Sequence, residues 1–279
     1  MTALVATDLD RTLIFSRTAM GEEQFACLAP ECVEMYQGGP LSYLTPDSRI
    51  LLEELVARVP VVPVTTRTPA QFTRIMLPGG PFRYAVASSG GRILTDGSDD
   101  AAWRETVERR VASTSATLDE VTAALRARID ERWVRSLRTA DDLFCYLVVD
   151  LDAQPADFLP EWQQWCGDRQ WMVSQQGRKI YALPQPVTKS AALAEVRARL
   201  VADGTLPADA PVLAAGDGRL DTDLLEYADH AIRPCHGELH EMGWNRPHVT
   251  VTERPGALAG EEILRWFTGR VGGATALAT

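Results

Sequence analysis

Lysine is nearly missing from this chain. Of 28 basic residues only Lys179 and Lys189 are lysines, and the other 26 are arginines. Arginine therefore serves as the general solubilising cation, and a surviving lysine marks a place where a compact, mobile point charge suits better than a planar fork. Net positive charge is missing as well. The formal charge of −10 argues against a broad nucleic-acid or anionic-membrane surface, which needs a basic field. A small anionic substrate stays admissible, because a metal ion and one lysine can reverse the sign locally. Cysteine is sparse: Cys27, Cys32, Cys145, Cys166 and Cys235 are odd in number and form no Cys-x-x-Cys pair. That argues against structural zinc and favours a reduced, cytoplasmic setting. Long apolar runs are absent too. Asp8 and Asp10 interrupt the one at the N-terminus, so neither a signal peptide nor a membrane span is expected.

What is present is an ordinary globular composition, 46% hydrophobic and 24% charged over 279 residues, enough for one large domain or one domain carrying an insert. Residues 3–9 read as a short buried strand ending in acids. A loop-like stretch follows, through Gly21, Pro30, Gly38, Gly39 and Pro46. Ser48 to Val59 has helical apolar spacing, Val61 to Arg67 is a strand running into a polar tip, and Tyr84 to Ser88 is a third strand. This alternation predicts right-handed parallel crossovers and hence an α/β sheet. The rhythm then changes. Trp103 to Val134 reads as helix, Ser136 to Asp150 as a bent strand or hairpin, Pro155 to Asp168 as helix, and Gln170 to Leu183 as two strands. The parallel pattern resumes with a helix from Lys189 to Ala202 and a strand from Pro211 to Ala215. The predicted architecture is a Rossmann-like core, residues 1–92 and 185–279, with an inserted α+β cap over 93–184 of order αββαββ on an antiparallel sheet. The C-terminal run from Gly272 is expected to fray.

The chemistry-bearing residues all fall where a predicted core strand ends or a helix begins, the edge at which open parallel sheets bind ligands. Asp8 and Asp10 are two residues apart, so both can face one side of a strand end. Two carboxylates held together repel unless a proton or cation intervenes, and Mg²⁺, a hard ion with oxygen ligands, is the natural mediator. Asp217 and Asp221 arrive in Gly216-Asp217-Gly218-Arg219-Leu220-Asp221, again at a strand tip. Thr65 offers a hydroxyl at another tip, a role Thr66 could share, and Lys189 a compact cation. A carboxylate nucleophile, a metal, an acid/base carboxyl, a hydroxyl and a lysine make a kit for phosphoryl transfer through an aspartyl-phosphate.

Asp8-Leu9-Asp10-Arg11-Thr12, Thr65, Lys189 and Gly216-Asp217 with Asp221 resemble the four ordered motifs of the haloacid dehalogenase-like phosphatases. The insert lies between the second and third motifs, as in the branch with a type-two cap that includes the Cof-type and sucrose-phosphatase-like sugar phosphatases. The resemblance spans about residues 4–235. It implies that Asp8 attacks phosphorus, that Asp10 protonates the leaving alcohol and then activates water, and that Thr65 and Lys189 hold the phosphoryl group. It further implies a Mg²⁺ site at Asp8, the Asp10 carbonyl and Asp217, with Asp221 in direct or supporting contact. Arg67 is expected to contact substrate from the core. Ser89 and Gly90 correspond loosely to a turn that opens the cap in such proteins, and Arg178 and Lys179 lie on the cap hairpin that overhangs substrate there.

Three departures stand out. Arg11 occupies a position where Gly is common, Thr66 replaces the middle Gly or Ser of the second motif, and Leu220 replaces a frequent Asn. The segment 13–47 also exceeds the usual Cof-type spacing and could form an enlarged flap. The expected function is Mg²⁺-dependent hydrolysis of a small phosphomonoester, a sugar or polyol phosphate, with no nucleic-acid or membrane partner. A phosphomutase-type transferase and a non-catalytic phospho-ligand-binding module stay open at this stage, as do the substrate and the oligomeric state.

Overall fold

The fold is a five-stranded parallel sheet in which Leu4–Thr7 and Val212–Ala215 are buried along their whole length, as strands covered on both faces must be. The computed structural model describes residues 2–272; the C-terminal tail expected to fray lies outside the described residues, apart from Gly272. The chain divides into two units, one running through Asp100 and again from Lys189, the other Ala101–Thr188.

The first part of unit 1 contains β1 (Leu4–Thr7), α1 (Arg17–Met20), α2 (Glu22–Leu28), β2 (Glu31–Tyr36), β3 (Gly39–Leu44), α3 (Pro46–Val56), β4 (Val61–Pro63), α4 (Pro69–Phe72), β5 (Tyr84–Ala87), β6 (Arg92–Thr95) and β7 (Ser98–Asp99). Unit 2 contains α5 (Ala101–Thr114), α6 (Leu118–Arg126), β8 (Val134–Ala140), β9 (Phe144–Val149), α7 (Phe158–Gly167), β10 (Trp171–Gln176) and β11 (Lys179–Pro184). Unit 1 resumes with α8 (Lys189–Ala202), β12 (Val212–Ala215), α9 (Thr222–Tyr227), β13 (His230–Arg233), α10 (Glu238–Glu241), β14 (Val249–Val251) and α11 (Ala257–Gly272).

The core sheet has the order β14-β13-β12-β1-β4, every neighbouring pair parallel. Leu52 and Leu55 of α3 and Ile263, Leu264 and Phe267 of α11 bury one face against Val5, Leu213 and Ile232. Helix α3 begins where it does because Thr45 accepts the Ser48 amide at 3.1 Å and Pro46 supplies a preset φ at the first turn. The expected third core strand, β5, joins the sheet edge only through the Val64–Val86 bridge and otherwise forms an antiparallel meander with β6 and β7. For that reason residues 93–100 stay with unit 1, and the inserted unit begins at Ala101 rather than 93 and ends at Thr188 rather than 184.

Two other sequence expectations change. Residues 13–47 are not a loop: they form α1, α2 and the β2–β3 hairpin, whose Val33 and Leu44 enter the main core. The single helix expected over Trp103–Val134 is broken at Thr117, whose side chain accepts the Glu120 amide and starts a new helix. Unit 2 therefore reads ααββαββ. Its antiparallel sheet, order β10-β11-β9-β8, turns Cys145, Leu147, Trp171, Val173 and Ile180 toward Val121, Leu125, Phe158 and Trp162 of its helices. Among the described residues no helix is long and apolar enough to cross a membrane.

Phe267 is fully buried at the α11–sheet contact. Phe267→Ala is expected to cost about 3–5 kcal/mol of stability, read from chemical denaturation.

Candidate active site

Strand register brings the motifs together. Thr7 of β1 pairs with Ala215 of β12 on one side and Pro63 of β4 on the other. The residues that follow each strand, Asp8, Gly216-Asp217 and Val64-Thr65, therefore emerge at one edge. The Asp8 amide donates to the Ala215 carbonyl at 2.9 Å, and the Val64 amide to the Thr7 carbonyl at 2.8 Å.

Lys189, the first residue of α8, is buried at this edge. Its Nζ donates to Asp8 Oδ1 at 2.7 Å and to Asp221 Oδ1 at 2.5 Å. A cation at a helix N-terminus opposes the helix dipole, and these two carboxylates offset that. Burial alone would depress the lysine, but Asp221 and Asp8 outweigh it and hold its pKa above the usual value. The start of α8 is held in turn by Asp223, whose Oδ2 accepts the Ser190 amide at 2.6 Å.

Asp221 is fully engaged. Its second oxygen accepts the amides of Asp217 at 3.1 Å and Gly218 at 2.9 Å. A Cβ on Gly216 would lie 2.4 Å from Asp221 Cβ, so glycine there is a condition of this arrangement. Carboxylate oxygens of Asp8, Asp217 and Asp221 lie within 4.8 Å of one another. Burial, opposed by Lys189 and reinforced by Asp221, pushes the Asp8 carboxyl up to about 7. Burial, then Asp8 and Asp221, likewise raises Asp217 well above its ordinary value. Crowded buried carboxylates with raised pKa values are what a divalent cation relieves.

The turn after β1 departs from the expected glycine and still closes. Arg11 takes φ +62, its amide donates to the Ile14 carbonyl at 2.8 Å, and its Nε lies 3.6 Å from Asp217 Oδ2. Thr12 donates to Asp8 Oδ2 at 3.3 Å. The His236 ring fixes the same turn. Its Nδ1 accepts the Gly256 amide at 3.1 Å, so the proton sits on Nε2, which donates to the Arg11 carbonyl at 2.8 Å. Gly237 follows with φ +87, and a Cβ there would fall 2.5 Å from Asp217 Oδ2.

Asp10 faces another partner. Arg67 forks onto it, Nε to Oδ2 and Nη2 to Oδ1, both at 2.7 Å. Arg67 is thus occupied by carboxylates, and its guanidinium is held above its usual pKa by Asp10 and Glu34 against the pull of burial. Thr65 is fully buried and its Oγ1 accepts the Arg67 amide at 3.1 Å; Thr66 is nearly buried beside it. The Ser89 amide donates to the Thr65 carbonyl at 2.9 Å. Ser88 and Ser89 hold left-handed φ values of +52 and +56, with Gly90 at +100, and Ser89 Oγ is buried with no hydrogen-bond partner. Arg178 and Lys179 are exposed on the β10–β11 hairpin of unit 2. An apolar cavity of about 360 Å³ lined by Phe72, Ile75, Leu77 and Phe82 among others includes none of Asp8, Asp10, Asp217 and Asp221.

Reasoning from the sequence missed Glu34, Ser42, Asp223 and the clamping role of His236, and it gave Thr12, although part of the first motif, no role of its own. The first four act through contacts between segments remote in the chain, and no short motif carries them.

No protein-family model matches the chain, and no curated protein is similar to it in sequence. Solved structures do match. The sucrose-phosphatase of Synechocystis in complex with sucrose and phosphate superposes with a TM-score of 0.63 at 16% identity, over 95% of this chain and 98% of that one. A HAD subclass IIB sugar phosphatase gives 0.61 at 12% identity, over 95% and 99%. The C-terminal domain of the C. albicans trehalose-6-phosphate phosphatase gives 0.56 at 14%, over 96% and 92%. The fold is the one these three solved structures share. At these identities the likeness is one of architecture, an α/β core with an inserted cap.

The raised Asp8 carboxyl gives a pH test on metal-free protein. Its contribution to stability is fully present below the ordinary value of 3.8 and is lost as pH rises through about 7. Asp8→Asn lacks this group, so its stability relative to wild type should rise between these values, read from urea unfolding. A difference independent of pH would contradict the assignment.

Proposed function

We propose that the protein is a Mg²⁺-dependent phosphatase that hydrolyses a small phosphomonoester, a sugar or polyol phosphate, through a phosphorylated Asp8. The observation that carries this reading is the buried Lys189 Nζ bridging Asp8 and Asp221, with Asp217 alongside. A buried ion pair is weak evidence for stability alone. A lysine spent in this way, in a chain that otherwise uses arginine, suits a group that steadies a carboxylate nucleophile.

The donor set fits a hard divalent ion: oxygens only, from Asp8 and Asp217, with the Asp10 carbonyl as a third ligand. Asp221, whose oxygens are occupied by Lys189 and two amides, supports the site from behind. The ion, when bound, neutralises charge on the phosphoryl oxygens.

Asp8 attacks phosphorus as the bond to the leaving alcohol breaks, and Asp10 gives that oxygen a proton. In the second half Asp10 takes a proton from water, which attacks the aspartyl-phosphate and releases phosphate. Lys189 and Thr65 hold the phosphoryl oxygens, and the unpartnered Ser89 Oγ offers a further donor beside the Gly90 backbone, with Thr66 next to it. Buried hydroxyls without partners cost about 1–3 kcal/mol, and a phosphoryl oxygen would satisfy this one. Arg178 and Lys179 are proposed to select the rest of the substrate. Arg67, forked on Asp10, acts through that carboxylate rather than as a substrate anchor.

Phosphate release from a panel of sugar, polyol and nucleotide monophosphates tests the reading. Wild type should turn over with Mg²⁺ and stop with EDTA. Asp8→Asn should lose more than about a thousandfold in kcat while keeping its circular dichroism spectrum. A folded wild-type protein releasing no phosphate from any of them would overturn the proposal.

A further inference from the structure

The β2–β3 hairpin carries a buried acid that the chemistry above does not use. Glu34 has no solvent exposure. Register shifts lie on both sides of it, between Cys32 and Glu34 and between Glu34 and Met35. Such irregularities re-aim a side chain, and here Val33 and Glu34 both point inward although they are consecutive. Glu34 Oε2 accepts Arg67 Nη1 at 2.6 Å and the Ser42 hydroxyl at 2.7 Å. Its Oε1 accepts Arg74 Nη2 at 3.1 Å and Nε at 3.3 Å. Ser42 Oγ also accepts Arg67 Nη2 at 3.1 Å.

Asp10, Arg67, Glu34 and Arg74 thus form an alternating chain of two anions and two cations with no net charge. The guanidinium in its middle is planar and rigid. One edge is fixed to Glu34 and Ser42, and the other grips both oxygens of Asp10. Without Glu34 the guanidinium would lose the ion pair that anchors its far edge and keep the Ser42 hydroxyl and Asp10, whose side chain is 42% exposed.

We propose that Glu34 is a positioning residue for Asp10: by pinning the far edge of Arg67, it fixes the orientation of the acid/base carboxylate. The extended segment 13–47 then has a definite task, to deliver Glu34 and Ser42 to Arg67. The catalytic consequence rests on Asp10 being the acid/base group of the proposed phosphatase; the mechanical consequence does not.

Two measurements on Glu34→Gln separate these. In metal-free protein the Arg67 Nε–H, identified in NMR spectra by its loss in Arg67→Lys, should be protected from solvent exchange. Glu34→Gln should speed its exchange about tenfold or more. Unchanged exchange would overturn the proposal whatever the protein's activity. With Mg²⁺, kcat/KM reports the first irreversible step, in which an alkyl leaving group needs the Asp10 proton and p-nitrophenolate needs it far less. Glu34→Gln should lower kcat/KM for glucose 6-phosphate or glycerol 3-phosphate about ten- to hundredfold, and several-fold less for p-nitrophenyl phosphate. Equal losses with both kinds of substrate would mean general damage and overturn the positioning role. If wild type hydrolysed neither, the phosphatase reading would fall and the exchange measurement alone would decide the role of Glu34. Should Glu34→Gln not fold, Ser42→Ala removes the hydroxyl shared by Glu34 and Arg67 without changing charge, and the same outcomes apply.

Discussion

The ammonium of Lys189, shut away from water between Asp8 and Asp221, is the interaction on which this site depends. It joins the start of the chain to its last third, at distances of 2.7 and 2.5 Å. Two carboxylates and a third, Asp217, repel one another in so small a buried space unless a cation or a proton intervenes, and the ammonium supplies the cation. A guanidinium would fill that space differently, because its donors spread in a plane, whereas an ammonium presents three donors from one atom. The rarity of lysine elsewhere makes its use here a choice of shape.

Around that pair the protein adds supports that bear no charge on substrate. Asp223 caps the helix that starts with Lys189, His236 clamps the turn carrying Arg11, and two glycines leave room for Asp217 and Asp221. Opposite these, the hairpin network ties Arg67 to Asp10. Rigid first contacts held by a second layer of partners are how folds keep reacting groups within tenths of an ångström.

Parallel architecture was legible because alternating apolar strands and helices leave few topologies once right-handed crossovers are required. Helix α8 was readable to the residue, Lys189 to Ala202, since its apolar spacing begins just after a proline-rich turn. The segment 13–47 was not legible. Its glycines and prolines read as loop, while the hairpin they bound is held by bridges from Tyr43 to Phe15 and from Glu34 to Ile75, partners outside the hairpin. Glu34 was invisible for a related reason: strict alternation would turn it outward, and only the bulges send it in.

The sequence by itself determined which residue types could meet at this edge: four aspartates and a threonine at or just after strand ends, and a lone suitable lysine at a helix start. It did so because strand period and crossover handedness force successive strand tips to one edge. Only the tertiary structure decided how those groups divide their bonds. It placed Asp221 behind the lysine, turned Arg67 onto Asp10 and brought Glu34 to Arg67. Those outcomes depend on register, bulges and side-chain rotamers across remote segments, which local spacing does not encode.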